Sequence, residues 1–154
     1  MGTISKVDKN VEAYAKRGDI PVYYEYTTGM AGRKLREHLR EHDTLLGAKC
    51  PGCEAVLFPP RIYCPDCMVE IEEFVSLEPV GRVVSFVRVY EDIEGRRFEE
   101  PKFVAFINVQ DSEGGLFGFV EADELESGDY VKAVLKPREE RIGAAQDILH
   151  WEKL

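Results

Sequence analysis

No apolar run in the chain approaches the roughly 18–20 residues that a membrane-spanning helix needs. The opening stretch MGTISKVDKNVEAYAKRGD also lacks the apolar core of a secretory signal, so a cytoplasmic location is expected. Basic charge is in deficit, with 20 Lys and Arg against 29 Asp and Glu and a net charge of −9. Such a field repels phosphate polyanions, and nucleic-acid binders usually carry a basic footprint. Histidine is scarce at three residues, and all four cysteines fall in one short stretch, which leaves no nucleophile–base set for catalysis. There is no internal repeat and no low-complexity tract. What remains is a globular balance, 44% hydrophobic and 32% charged, in 154 residues, enough for one ordinary domain plus a small accessory module.

The cysteines stand in KCPGCEAVLFPPRIYCPDCM as Cys50-x2-Cys53, ten residues, then Cys64-x2-Cys67. Each short turn can aim two sulfurs inward, and Pro51-Gly52 and Pro65-Asp66 supply the turn chemistry. Gly52 lets backbone amides approach the sulfurs. The intervening EAVLFPPRIY is expected to form the two short arms of a zinc ribbon. Two disulfides, in any of three pairings, are the bland alternative, and they are disfavoured in a cytosolic chain. Iron in a rubredoxin-type site is the sharper one. Zinc is preferred because nothing else points to electron transfer. Four thiolates fill a tetrahedron and leave no position for substrate, so the ion is read as structural.

A second pattern, HLREH from His38 to His42, matches the H-x-x-E-H signature of inverted zinc proteases. It lies in GRKLREHLREHD, an amphipathic and charge-rich stretch where His, Arg and Glu are ordinary on the polar side. A third ligand and a cleft are not indicated, and a protease is not expected.

The chain divides into a helical N-terminal arm (1–47), the ribbon (48–73) and a β-rich remainder (74–154). In the arm, VDKNVEAYAKRGD reads as a short helix ended by Gly18, and Ile20-Pro21 starts a new direction. Thr28 is placed to cap a second helix from about Met30 to His42, with Met30, Leu35, Leu39 and Leu46 as its apolar positions. Beyond the ribbon, GRVVSFVRVYE alternates, with Val83, Ser85, Val87 and Val89 on one face and Val84, Phe86, Arg88 and Tyr90 on the other. KFVAFINVQ, GLFGFVE, DYVKAVLKP and DILHWEKL complete five strands, separated by the turns EDIEGRRFEEP, DSEGG and ESGD. The expected fold is mainly β, with a five-stranded barrel of the oligonucleotide/oligosaccharide-binding (OB) type.

A helical arm, a ribbon containing FPPRIYCPDC, and a barrel opening GRVVSFVRV together resemble the domain of unknown function thirty-five family, from about Tyr23 to Trp151. The resemblance implies a zinc ribbon plus OB fold associated with acyl-CoA metabolism. It implies a non-catalytic companion of thiolase-superfamily enzymes, of the thiolase, hydroxymethylglutaryl-CoA synthase or aldolase type, that helps hold acyl-CoA. Of the family's residues only Cys50, Cys53, Cys64 and Cys67 carry over, while Arg61 matches a motif position without a stated role.

The residues read on their own add candidates. Arg82, Arg88, Arg96 and Arg97, with Lys102, Arg138 and Arg141, could meet CoA phosphates or be solvated surface charge. Phe86, Phe103, Phe106, Phe117 and Phe119 could stack on a ligand, although most are expected in the core. Tyr23, Tyr24 and Tyr26, with Leu35 and Leu39, are candidates for partner docking. Single-stranded nucleic-acid binding is the alternative, since ribbons and OB folds both serve it.

Overall fold

In a computed structural model, described over residues 23–92 and 94–154, the described part of the arm contains the helix α1 (Gly29–Glu41). The helix expected over VDKNVEAYAKRGD lies outside the described residues. Ala31, Leu35 and Leu39 recur every four residues and turn one stripe of α1 inward, with Ala31 and Leu39 buried and Leu35 half-buried. Met30, expected among the apolar positions, is 52% exposed. Thr28 stands at the N-cap but makes no side-chain cap bond. The hydroxyl of Thr27 instead accepts from the Gly29 N–H at 3.2 Å.

Leu46, read as helical, belongs to β1 (Leu45–Lys49). This strand is central to a small sheet, hydrogen-bonded on its two edges to β2 (Val56–Phe58) and β3 (Glu73–Leu77), and the burial of four consecutive residues, Leu45 to Ala48, shows that both of its faces are covered. A short run buried on both sides carries no period, which is why strand and helix read alike here. The Phe58–Pro59 peptide bond that follows β2 is cis.

Five further strands form the barrel: β4 (Val80–Glu91), β5 (Arg97–Val109), β6 (Glu113–Glu121), β7 (Tyr130–Leu135) and β8 (Ile148–Lys153). The turn expected over EDIEGRRFEEP is shorter than that stretch, because β5 already begins at Arg97. Antiparallel pairs join β4 to β5, β5 to β6, β4 to β7 and β7 to β8. A parallel pairing of β6 with β8 closes the ring. β2 also pairs in parallel with β6, Leu57 opposite Glu113 and Phe58 opposite Gly114, so ribbon and barrel form one eight-stranded sheet.

Inward-pointing Val83, Phe103, Ile107, Val120, Val131 and Trp151 fill the ring. The strict alternation expected along β4 fails at Val84. The pairing skips a residue between Val83 and Ser85, and the bulge turns Phe86 rather than Ser85 inward. Among the expected core phenylalanines, Phe103 is buried and Phe86 and Phe106 are half-buried, whereas Phe117 is 74% exposed and Phe119 48%.

A polar clasp in the β7–β8 connection holds α1 to the barrel. Buried Arg141 donates to the carbonyls of Leu39 (3.2 Å) and His42 (2.8 Å) at the helix end, to Lys136 O (2.7 Å) and to Asp43 Oδ1 (2.6 Å). Arg138 pairs with the other oxygen of Asp43. Fully buried Asp147 accepts the N–H groups of Ile142, Gly143 and Ala144 at 3.1, 2.7 and 3.0 Å, shaping the loop that carries Arg141. Gly143 (φ +75°) lies against the helix backbone, and a Cβ there would sit 2.5 Å from Arg36 O.

Hydrogen bonds from Arg138 and then Arg141 hold the Asp43 carboxyl down at about 2, below its ordinary value of 3.8. A carboxyl lowered on folding adds stability that is full above its unfolded value and fades as pH falls through the folded one. Independently of that titration, Arg141→Met is expected to cost about 2–4 kcal/mol in urea unfolding at neutral pH, since it strips the buried guanidinium's hydrogen bonds from the carbonyls of Leu39 and His42. The variant should also lose less stability than the parent between about pH 4 and pH 2.

Candidate metal centre

Two equivalent backbone turns build the cysteine cluster. In the first, the Cys50 N–H donates to Ala55 O at 2.8 Å and the Glu54 N–H to Cys50 O at 3.0 Å. In the second, Cys64 donates to Val69 O at 3.0 Å and Met68 to Cys64 O at 2.9 Å. Glu54 (φ 61°) and Met68 (φ 56°), each four residues past the first cysteine of its pair, adopt the left-handed conformation that curls the chain back around the sulfurs. Gly52 donates to Cys50 Sγ at 3.3 Å, and a Cβ on it would lie 3.3 Å from Cys67 Sγ, so glycine lets the first turn approach the second.

The four sulfurs all lie within 4.8 Å of one another, and Cys53 Sγ and Cys64 Sγ are 3.8 Å apart. Metal–sulfur bonds of about 2.3 Å in a tetrahedron require edges of about 3.8 Å, so the donor set fits a tetrathiolate-bound ion. Cys50 and Cys64 are buried over Ala48, Leu57 and Ile71, a small apolar floor separate from the barrel core. Cys53 is exposed at the rim.

The crowding makes the thiols unequal. Backbone N–H groups of Cys53 and Gly52 bring Cys50 down to about 7, whereas the neighbouring Cys53 sulfur, with burial and Cys50 behind it, pushes Cys67 up to about 12. A group of four thiols that cannot all ionise together is what a divalent cation relieves, and binding releases their protons.

The other candidate residues do not converge. Arg82 donates to Gly128 O at 3.3 Å, Arg88 covers the Phe103 ring at 4.8 Å, and Arg96 pairs with Asp92 and Glu94. Arg97 lies opposite Glu91 near the far end of the β4–β5 hairpin, and Arg61 is exposed on the ribbon. At about 3.3 Å per strand residue, the positions from Arg82 to the register of Arg97 span roughly 30 Å. They form no single cradle, and Arg141 is spent on the helix clasp. Leu39 is buried in the core and is not available for docking, a correction to its expected place at a partner surface. Tyr23, Tyr24 and Tyr26 are 93, 69 and 82% exposed. His38 bonds Thr44 Oγ1 at 2.8 Å, and the His38–Glu41–His42 set forms no ligand cluster among the described residues.

One feature escaped the sequence. A groove of about 480 Å3 runs between α1, β2 and the barrel, floored by Leu35, Leu39, Leu45, Phe58, Leu116 and Ile148. Its lining comes from segments more than a hundred residues apart, and no local pattern marks it. Among the described residues no helix is long and apolar enough to cross a membrane, which says nothing of β-barrel membrane proteins.

Several known proteins are similar to this chain. Residues 38–70, with all four cysteines, match the family described as ChsH2, rubredoxin-like zinc ribbon domain. A "DUF35 domain-containing scaffold protein" of Methanothermobacter thermautotrophicus is 31% identical over 108 residues, 67% of this chain and 80% of that one. One of the same description from Methanocaldococcus jannaschii is 29% identical over 75 residues, 48% of this chain, and the match spans only 53% of its length. A crystal structure of a DUF35-family protein of unknown function from Sulfolobus solfataricus superposes with a TM-score of 0.62 at 33% identity, over 72% of this chain and 81% of that one. A chain of the structure described as "Ltp2-ChsH2(DUF35) aldolase" gives a TM-score of 0.55 at 20% identity over 72% and 87%, a likeness of fold alone.

Cys50→Ser and Cys67→Ser are each expected to abolish stoichiometric metal in elemental analysis and to unfold the ribbon, because metal binding is part of its folding free energy. Release to a chromophoric chelator should accelerate as pH falls, since protons compete for the thiolates.

Proposed function

The chain belongs to the DUF35 family, and on that premise we propose that it is a non-catalytic accessory subunit of a thiolase-superfamily enzyme, of the thiolase, hydroxymethylglutaryl-CoA synthase or aldolase type. The observation that carries the proposal is the closed donor set at Cys50, Cys53, Cys64 and Cys67. Four thiolates satisfy a tetrahedral ion, so it can order the ribbon but offers no open position to a substrate. We take the ion to be zinc, with iron the alternative that a coloured preparation would reveal.

Docking then falls to surface rather than to chemistry. Tyr23, Tyr24 and Tyr26 precede α1 closely in the chain, and exposed Phe117 is among the residues lining the apolar groove. Large, exposed aromatics beside a groove are what interface anchors look like in a free subunit. The arm (1–47) and ribbon (48–73) would engage the enzyme, with the barrel (74–154) beside the acyl-CoA. Arg61, Arg82, Arg88, Arg96 and Arg97 would then act singly on different phosphates or on the partner, given their spread. The name "scaffold protein" borne by the methanogen relatives and the aldolase complex of the more distant structure support the same role. The net charge of −9 weighs against the nucleic-acid alternative.

Expressed alone, the protein should show no thiolase, synthase or aldolase turnover. Co-expressed with a thiolase-like enzyme encoded beside it, it should co-purify as a stable complex. Replacing Tyr23, Tyr24 and Tyr26 together by alanine should weaken that complex at least about thirtyfold, the scale of losing one interface hot spot. Turnover by the isolated chain, or salt-sensitive oligonucleotide binding without any enzyme partner, would refute the proposal.

A further inference from the structure

The parallel seam that closes the barrel sets a second group of ligands on its outer wall. Val120 and Trp151 are register partners and both point into the core, so their neighbours Glu121, His150 and Glu152 point outward. Glu121 and Glu152 are themselves register partners. Like charges directly opposite across a strand pair repel. Among the described residues neither carboxylate has a lysine or arginine within ion-pair distance, and the group they share is His150.

His150 Nε2 is 3.4 Å from Glu121 Oε2 and 3.4 Å from Glu152 Oε1, and the three donor atoms lie within 4.8 Å of one another. Nitrogen and oxygen ligands held about 2.0–2.2 Å from a tetrahedral ion stand about 3.3–3.6 Å apart, which matches both measured edges. Imidazole with two carboxylates is a donor set that zinc and its first-row neighbours accept, and it leaves one position free. Glu121 and His150 also line a cleft of about 590 Å3, together with Glu100, Lys102, Phe119 and Asp123.

We propose that Glu121, His150 and Glu152 bind a divalent transition-metal ion of the zinc class, separate from the cysteine centre, with one coordination position open to the adjoining cleft. The ion offsets the carboxylate repulsion that the β6–β8 register imposes. Its open position takes water or one donor atom from a molecule in the cleft.

Cobalt(II) added to the protein with its cysteine centre already loaded with zinc tests this. One further equivalent should bind, giving weak d–d absorption without the intense thiolate charge-transfer bands of cobalt in the ribbon. His150→Ala should lower the cobalt affinity at least about tenfold, and Glu152→Gln, an exposed and nearly isosteric change, should weaken it in the same direction. Absence of a second equivalent in the parent protein, uptake confined to the thiolate centre, or unchanged binding in Glu152→Gln would overturn the assignment. None of these results depends on whether an enzyme partner is found.

Discussion

The barrel exists because β6 and β8 meet. Four of its five strand contacts are antiparallel, three of them between strands adjacent in sequence and the fourth, β4 with β7, across the β5–β6 hairpin, but the ring stays open until the end of β6 meets β8. That contact is short, Val120 with Trp151 and Glu121 with Glu152. Its register is fixed by the tryptophan, since a slip of one residue would turn Trp151 out and His150 in. The same register that buries the largest side chain of the core also sets two carboxylates side by side on the surface. Packing dictates the first outcome, and the second comes with it.

The arm is attached by different physics. Among the described residues Ala31, Leu35 and Leu39 form the inward apolar stripe of α1, and a stripe that narrow does not fix a helix in place. Arg141 supplies what is missing by occupying the carbonyls at the end of α1 and anchoring Asp43, while Asp147 holds the loop that presents it. Among the described residues Arg141 and Asp147 are the buried charged side chains, and they are tolerated because the first makes four hydrogen bonds and the second accepts three.

Much of this was legible in the sequence, and the misses have local causes. The cysteine spacing, the five barrel strands and the helix before the ribbon were all readable, because each is written in a short window. The strict alternation read along β4 fails because a bulge at Val84 breaks the period of two. Leu46 was misread because β1 is covered on both sides. Arg141 looked like any surface cation: nothing in PREERIG signals that its guanidinium reaches back about a hundred residues to cap a helix. The exposure of Phe117 and Phe119 was hidden for a similar reason, since aromatic residues in a strand advertise a core and do not say which side of the wall they occupy.

The pairing of β2 with β6 ties the sulfur-bound knuckles to the barrel wall through main-chain amides rather than through a linker. Mechanical load applied at the knuckles therefore passes into the wall without meeting a joint. A molecule gripping the small lobe would aim the large one as a handle aims a blade, and the orientation would survive changes in the side chains at the junction.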